Sequence, residues 1–454
     1  MADLDLIVRG ATVVTADATV QTNVGVANGR IVHVGTDSPD AANVVDAQGL
    51  LLLPGMVDTH VHLMDPGATE REDFPTGTAA AAANGVTTLI EHSHGRPVLD
   101  VADLMEKERY LRGRSYIDFG LAAHAWPDRL DQIPLLWQAG VSYFKLFTCA
   151  THGIPGFSPA ELLDAFRRLA ASDANCLVHC EDDSITAAAE LALRASGRDD
   201  GSVIPQWRSR EAELVATSAA SILARCTGAR ATVAHVSYPG AAELIVDERL
   251  RGADIVAEGC PQYFLLREHE VHDCAGFRKF TPPARARNDD DEDRMWRLLR
   301  TGILNHISTD HAPATRDQKT GGDIWTVHFG LPGLDTTLRL LIDAAYRQKL
   351  SMQDVVRVYS TNPARRYGLW PRKGRLAVGA DADLVLVDPE AVGVLSDADV
   401  ISKAGWTPYA GREVRGAISA VYSGGRLIAR DGAVTGEPVG RFLPGPGATG
   451  ASPW

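Results

Sequence analysis

Hydrophobic and polar positions along the chain fall into three textures. Before Pro54, short β-type runs at residues 6–8, 12–14, 24–27 and 31–34 alternate with turns. Asn28-Gly29 between two of these runs is a hairpin signal, because both central positions of a tight I′ turn need positive φ. After Pro54-Gly55 the period changes. Short apolar runs now alternate with longer patterns rich in Ala, Leu, Glu and Arg, such as residues 159–171 and 291–301, the mark of βα units feeding a parallel sheet. Eight buried strands are predicted, at residues 57–63, 86–92, 117–125, 143–148, 176–181, 232–236, 255–258 and 306–310. Eight such units over roughly 300 residues fit a closed (β/α)8 TIM barrel. From about Gly374 the short-strand texture returns, at residues 382–387 and 419–428, with Gly424-Gly425 as the turn. Neither flank is long enough to make a comfortable domain. Residues 1–54 and 371–454 are therefore expected to meet as one small β-sandwich beside an α/β barrel of residues 55–370. Residues 442–454 are rich in Pro and Gly and are expected to form an extended or mobile tail.

Composition narrows the class. The 454 residues are 45% hydrophobic, enough for one large core and a smaller one. Lys and Arg number 45 against 58 Asp and Glu, a formal charge of −13, which argues against nucleic acid or an anionic membrane as partner. The start, MADLDLIVRG, lacks a basic stretch followed by an apolar core, and apolar runs such as residues 50–57 are too short to span a bilayer. Six cysteines without a CxxC pair read as reduced, mostly buried thiols, so a cytoplasmic protein is expected.

The chemistry lies at the predicted strand ends. His60-Val61-His62 closes the first strand, and residues two apart on a strand point the same way, so both imidazoles can reach one point. Lys145 sits on the fourth strand, His179 on the fifth, His235 on the sixth and Asp310 on the eighth. Barrel enzymes place their active sites at this face. Four imidazoles with two oxygen-type donors suit Zn²⁺, Mn²⁺ or Co²⁺ rather than Ca²⁺. Any single histidine here is better read as a core residue; the set of six points to metal.

Lys145 is the odd member, because an ammonium cannot bind a metal. Within Tyr143-Phe144-Lys145-Leu146-Phe147 a buried lysine would have a lowered pKa and a reactive amine. Such an amine can take up CO2 as a carbamate, whose two oxygens can bridge metals ~3.5–4 Å apart. The alternative is a buried lysine paired with a carboxylate. Asp310, in Ser308-Thr309-Asp310-His311, can both bind metal and move a proton, which makes it the candidate general acid/base. His311 should face away from the barrel centre and support the site from behind.

Together these motifs resemble the cyclic amidohydrolases of the amidohydrolase superfamily, the hydantoinase, allantoinase, dihydropyrimidinase and dihydroorotase group. The resemblance runs almost end to end. It includes Pro54-Gly55-Met56-Val57-Asp58-Thr59-His60-Val61-His62, Asp65-Pro66-Gly67, Gly85-Val86-Thr87-Thr88, Phe144-Lys145 and Val178-His179-Cys180-Glu181-Asp182. It continues through His235-Val236-Ser237, Cys260-Pro261-Gln262-Tyr263, Thr281-Pro282-Pro283, Thr309-Asp310-His311 and Gly379-Ala380-Asp381-Ala382-Asp383-Leu384. The resemblance implies two divalent ions. His60, His62 and Asp310 would hold the more buried one, His179 and His235 the second, and N6-carboxylated Lys145 would bridge them. It implies hydrolysis of a small cyclic amide, with Asp310 relaying the proton to the departing ring nitrogen, in a homotetramer or homodimer.

Departures from the group bear on the substrate. Dihydroorotases of this type carry an Arg two positions after the HxH pair and an Asn on the loop after the second strand; here Met64 and His94 stand there. Met cannot bind a carboxylate. Dihydropyrimidinases and D-hydantoinases usually have a Tyr five residues after the lysine, where this chain has Ala150, and an Asn where it has Phe329. L-hydantoinase-like and allantoinase-like members lack that Tyr too and match residues 65–77 better. Ring opening of the hydantoinase or allantoinase kind is therefore expected, with dihydropyrimidinase and cyclic imide hydrolase as alternatives. A dihydroorotase fits less well, and so does a scaffold that has lost its metals, since all six ligands are present.

Thr281, Phe329, Gly330, Met64, His94 and His152 are the expected substrate contacts, His152 as a replacement donor for the missing Tyr. His92 and His94 line the pocket or are simply loop residues at the barrel mouth. The remaining histidines, His33, His124, His269, His272, His306 and His328, read as structural or surface, and Arg208, Arg210, Glu211 and Glu213 as a structural charge cluster at a helix start.

Overall fold

In the computed structural model, residues 4–449 are described. The two ends of the chain build one nine-stranded sheet. Its long first strand, Leu4–Val14, pairs antiparallel with Thr19–Ala27 and, on its other edge, parallel with Ala41–Asp46 and then Leu51–Pro54. Leu51–Pro54 pairs with Leu384–Val394, and Glu413–Ser423 and Arg426–Arg430 follow as a meander. Asn28-Gly29 (φ 51° and 75°) and Gly424-Gly425 (φ 52° and 75°) are the tight turns their sequences predict. Backbone bonds from Ile31 N to Ala380 O (2.9 Å) and from Ala382 N to Gly29 O (2.9 Å) draw the N-terminal hairpin onto the C-terminal strands. The sheet thus closes over Val8, Val24, Leu52, Leu384 and Tyr422, the small β-sandwich of the expected kind.

The barrel strands are Met56–Val61, Val86–Glu91, Asp118–Leu121 with Ala123–His124, Phe144–Phe147, Asn175–His179, Arg230–Val233, Ile255–Gly259 and Leu304–Ile307. The third is split. Asp118–Leu121 pairs with the second strand and Ala123–His124 with the fourth, while Ala122 N bonds Glu91 O across the break. A parallel bridge between Val61 and His311, with His62 N donating to His311 O (2.8 Å), closes the ring from the eighth strand to the first. Almost every strand residue is buried, which is why the sequence shows continuous apolar runs rather than alternation. The flanking helices are capped as their sequences suggest. Ser158 and Glu161 form a capping box at Pro159–Ala171, whose Leu162, Ala165, Phe166 and Leu169 face inward.

Two expectations need adjustment. The first, fifth, sixth and eighth strands stop at Val61, His179, Val233 and Ile307, earlier than residues 63, 181, 236 and 310, and beyond the last two His235 (φ 38°) and Asp310 (φ 50°) turn into left-handed backbone. The C-terminal tail is extended but not loose through Thr449. Leu443 is buried, and Leu443 N, Gly445 N and Thr449 N donate to Phe119 O (2.7 Å), Gly140 O (2.8 Å) and Gln138 O (3.0 Å). A Cβ on Gly440 or Gly445 would lie 1.8 Å from Ile117 O or 2.0 Å from Val141 O, so the glycines mark close backbone approach, not mobility. Residues 450–454 of the expected tail lie outside the described residues. Lys373 ties the two parts together, its Nζ 2.7 Å from Asp118 on the third barrel strand and 2.7 Å from Asp383 beside the sheet. Four of the six cysteines are buried, and none of the six is in a disulfide. No helix of the described residues is long and apolar enough to cross a membrane.

Candidate active site

Hydrogen bonds on the outer nitrogens of the histidines decide what their inner nitrogens can do. His60 Nδ1 lies 2.7 Å from Glu258 Oε1, so its N–H donates to that carboxylate. His62 Nδ1 donates to the His92 carbonyl at 2.7 Å. Burial first, and then the Lys145 charge, push both imidazoles below their ordinary pKa and keep them neutral. Their Nε2 atoms therefore carry bare lone pairs. These converge on Asp310 Oδ1, at 3.2 Å from His60 and 3.3 Å from His62. Two lone pairs and a carboxylate oxygen meet in a buried place with no hydrogen between them. Such an arrangement repels itself unless a cation sits among the three atoms.

A second group adjoins it. His179 Nε2 lies 2.8 Å from Glu181 Oε2, leaving its Nδ1 facing His235 Nε2 at 2.9 Å. His235 Nδ1 is buried with no partner. Burial opposes ionisation of Glu181, yet Arg208, His179 and Thr281 hold its carboxyl down, to about 2. Lys145 lies between the two groups, fully buried, with Nζ 3.2 Å from His60 Nε2. The carboxylates that act on it are those of Asp310 and Glu258. Burial pushes its ammonium down to about 8, with Asp310 and Glu258 pulling the other way. Four imidazoles, a lysine and a carboxylate in this arrangement fit divalent metal of the zinc, manganese or cobalt type.

The same side chains line a narrow cavity of about 30 Å³. His94, His152, Thr281, Phe329 and Gly330 line it together with the six candidate ligands. Met64 does not; it is fully buried behind the wall, on a left-handed backbone (φ 57°) two residues beyond His62. Thr281 spends its hydroxyl on Glu181 (2.6 Å). Gly330 (φ 109°) is required by packing, since a Cβ there would fall 2.1 Å from Ala312 O. His152 bonds Thr151 Oγ1 through Nδ1 (2.9 Å) and lies beside His94, ring centroids 4.6 Å apart. Of the nine non-glycine residues with positive φ among those described, Met64, His152, His235 and Asp310 stand at or beside this cavity. Such strain gathers where a fold must aim side chains.

His311 turns away from the centre. Its Nδ1 accepts from Gly333 N (3.1 Å) and Leu334 N (3.3 Å), and its Nε2 faces Glu72 (3.3 Å). Several supporting groups escaped the sequence reading. Glu258 was visible only as a charge ending the apolar run Ile255-Val256-Ala257, the signature of an inward-facing polar group on a buried strand. Arg208 stands just before the helix start and is buried, 3.4 Å from Glu181 and stacked on Trp207. Glu211 and Glu213 do fall in the first turn of Arg210–Thr227, though Glu213 is buried against Ser237. His124 and His306 are buried as well.

The amidohydrolase family profile matches residues 51–428. An allantoinase of Deinococcus radiodurans is 33% identical over 97% of this chain and 98% of that protein. One of Rubrobacter xylanophilus is 35% identical over 98% of each. Among solved structures, an L-hydantoinase (dihydropyrimidinase) from Arthrobacter aurescens superposes with a TM-score of 0.93 at 28% identity, over 97% of this chain and all of that one. The metal-type donor set at one end of the barrel, the terminal β-sandwich and these end-to-end likenesses agree, and the chain belongs to the amidohydrolase family, as a hydrolase of its cyclic amidohydrolase group.

Proposed function

We propose that this protein opens a small hydantoin-like or allantoin-like ring at a two-metal centre. In this reading His60, His62 and Asp310 hold the more buried ion, His179 and His235 hold the second, and N6-carboxylated Lys145 bridges them. Zn²⁺ is the expected metal, with Mn²⁺ or Co²⁺ as alternatives. The observation that carries the reading is the convergence of two neutral imidazole lone pairs on Asp310. Allantoinase relatives and an L-hydantoinase neighbour support the class of ring.

Divalent ions held there would supply Lewis acidity and a nucleophile that exists at neutral pH. The chain supplies the rest. Asp310, whose carboxyl burial pushes up, accepts a proton from the attacking water and delivers it to the departing ring nitrogen. Glu258 and the His92 carbonyl keep His60 and His62 in the tautomers that present Nε2 inward. His94, His152, Phe329 and the backbone at Thr281 and Gly330 surround the ring and its substituent. The protein is expected to act in the cytoplasm as a dimer or tetramer, which light scattering on the metal-loaded protein would resolve.

The test loads the protein with Zn²⁺, Mn²⁺ or Co²⁺ in bicarbonate and follows ring opening across a panel. The panel holds both enantiomers of 5-substituted hydantoins, allantoin, dihydrouracil, dihydroorotate and simple cyclic imides. Turnover of hydantoins or allantoin, with dihydroorotate inert and Asp310→Asn inactive, supports the proposal. Silence across the panel from protein that holds two metals would overturn it.

A further inference from the structure

His92 follows the second barrel strand, Val86–Glu91, and no part of the reading above uses its ring. The ring is buried and packs against both members of the HxH pair, with centroids 4.9 Å from His60 and 4.2 Å from His62. Its protonation is settled by Tyr143. The Tyr143 hydroxyl has one proton and lies 2.8 Å from the Thr59 carbonyl, which can only accept. The phenol oxygen must therefore accept from His92 Nδ1, 2.9 Å away. That leaves His92 Nε2 with a lone pair, and this nitrogen is buried without a hydrogen-bond partner.

We propose that His92 is a further nitrogen donor to the metal position bounded by His60 and His62, held in its ligating tautomer by Tyr143. One ring nitrogen from each of His60, His62 and His92 lies within 4.8 Å of the other two, while Asp310 joins a separate group of this kind with His60 and His235. A buried acceptor with nothing to accept is costly, and a cation at this position would remove the cost. The residue would also serve twice, since its own carbonyl fixes His62 Nδ1. His94 and His124 also carry unpartnered buried nitrogens, but they do not join a group of three ligand atoms within 4.8 Å among the described residues. The inference rests on the reading that His60 and His62 hold a metal. Its consequence is a buried ion with three imidazoles, which favours Zn²⁺ or Co²⁺ over Mn²⁺.

A crystal structure of the zinc-loaded full chain, with the ions placed by anomalous scattering, tests this directly. The expected result is His92 Nε2 at ~2.0–2.1 Å from the more buried ion. An ion between His60, His62 and Asp310 with His92 Nε2 beyond bonding distance overturns the inference and leaves the two-metal reading intact. No ion between those three residues overturns both. In solution, His92→Phe keeps an aromatic ring, though a larger one, and removes the donor, and should release the buried metal to a chelator about 10- to 100-fold faster. Tyr143→Phe frees the tautomer and should fall between the two. Release from both variants at the wild-type rate counts against the inference, and the wild-type crystal structure decides the matter should either variant fail to fold.

Discussion

Glu258 Oε1 lies 2.7 Å from His60 Nδ1 and 3.1 Å from the backbone nitrogen of His235, so one buried carboxylate steadies a candidate ligand of each metal. Burial works against its ionisation, yet the His60 and His306 rings hold it well below the usual carboxylate range. Glu258→Gln keeps the shape but can turn an amide N–H toward His60, which would then carry its proton on Nε2, where the metal should be. Metal affinity is expected to fall about 10- to 100-fold with the circular dichroism spectrum unchanged. Titration of the stripped protein with Zn²⁺ measures this. Wild-type affinity in the variant would mean that the contact does not orient His60.

His152 is held on a left-handed backbone, with its Nδ1 on Thr151 and its ring among the cavity's lining residues. If it donates to the ring carbonyl as charge develops there, His152→Ala should lower kcat by ~10- to 1000-fold. Metal content should stay the same, since no candidate ligand bonds to it. Steady-state kinetics beside metal analysis separates the two. An unchanged kcat dismisses the role.

Much of this architecture was legible in the sequence, for physical reasons. Parallel barrel strands are buried on both faces, so they stand out as apolar runs between helical periods. The chemistry-bearing residues stand out only as a set, because a lone imidazole on such a run, as at His306, is also found in the core. The two hairpins could be read because Asn28-Gly29 and Gly424-Gly425 meet a backbone requirement that few pairs can. What escaped were contacts between residues distant in sequence. No local pattern announces that Glu258 will meet His60, or that Arg208 will fold back onto Glu181. Nor does composition tell a glycine in a loose tail from one pressed against a carbonyl, as Gly440 and Gly445 are.

Lys373 is buried among Asp118, Asp383 and Asp381, at 2.7, 2.7 and 3.0 Å. Those contacts join the barrel to the terminal sheet. Lys373→Met would leave the buried carboxylates of Asp118 and Asp383 facing each other without a cation, while Asp381 keeps Arg372 at 2.6 Å. The expected loss is about 3–5 kcal/mol of unfolding free energy. Urea denaturation measures it, and Zn²⁺ binding by the folded fraction should not change, because the cluster lies apart from the candidate ligands. A loss under about 1 kcal/mol would mean that solvent reaches this cluster and screens it.

Asp335 supplies a pH dependence with a definite sign. Its carboxylate accepts from Ile401 N (2.7 Å) and Ser402 N (3.4 Å), but burial outweighs these and pushes its pKa from 3.8 to about 6. Below pH 3.8 the folded and unfolded chains both carry the proton, and the group contributes nothing to the slope. Between 3.8 and about 6 the folded chain keeps a proton that the unfolded chain has lost, so stability falls as pH rises. Above 6 the full cost, about 3 kcal/mol at most, is present and constant. Asp335→Asn keeps both accepted hydrogen bonds and removes the charge. The variant should therefore gain stability over the wild type at pH 7 and lose that advantage by pH 4, in denaturant melts of metal-free protein at both values. Glu213, also pushed up by burial to about 6, will keep part of the slope in both proteins. A variant less stable than wild type at pH 7 would mean that ionised Asp335 is favoured in the fold, by an interaction stronger than its two backbone contacts.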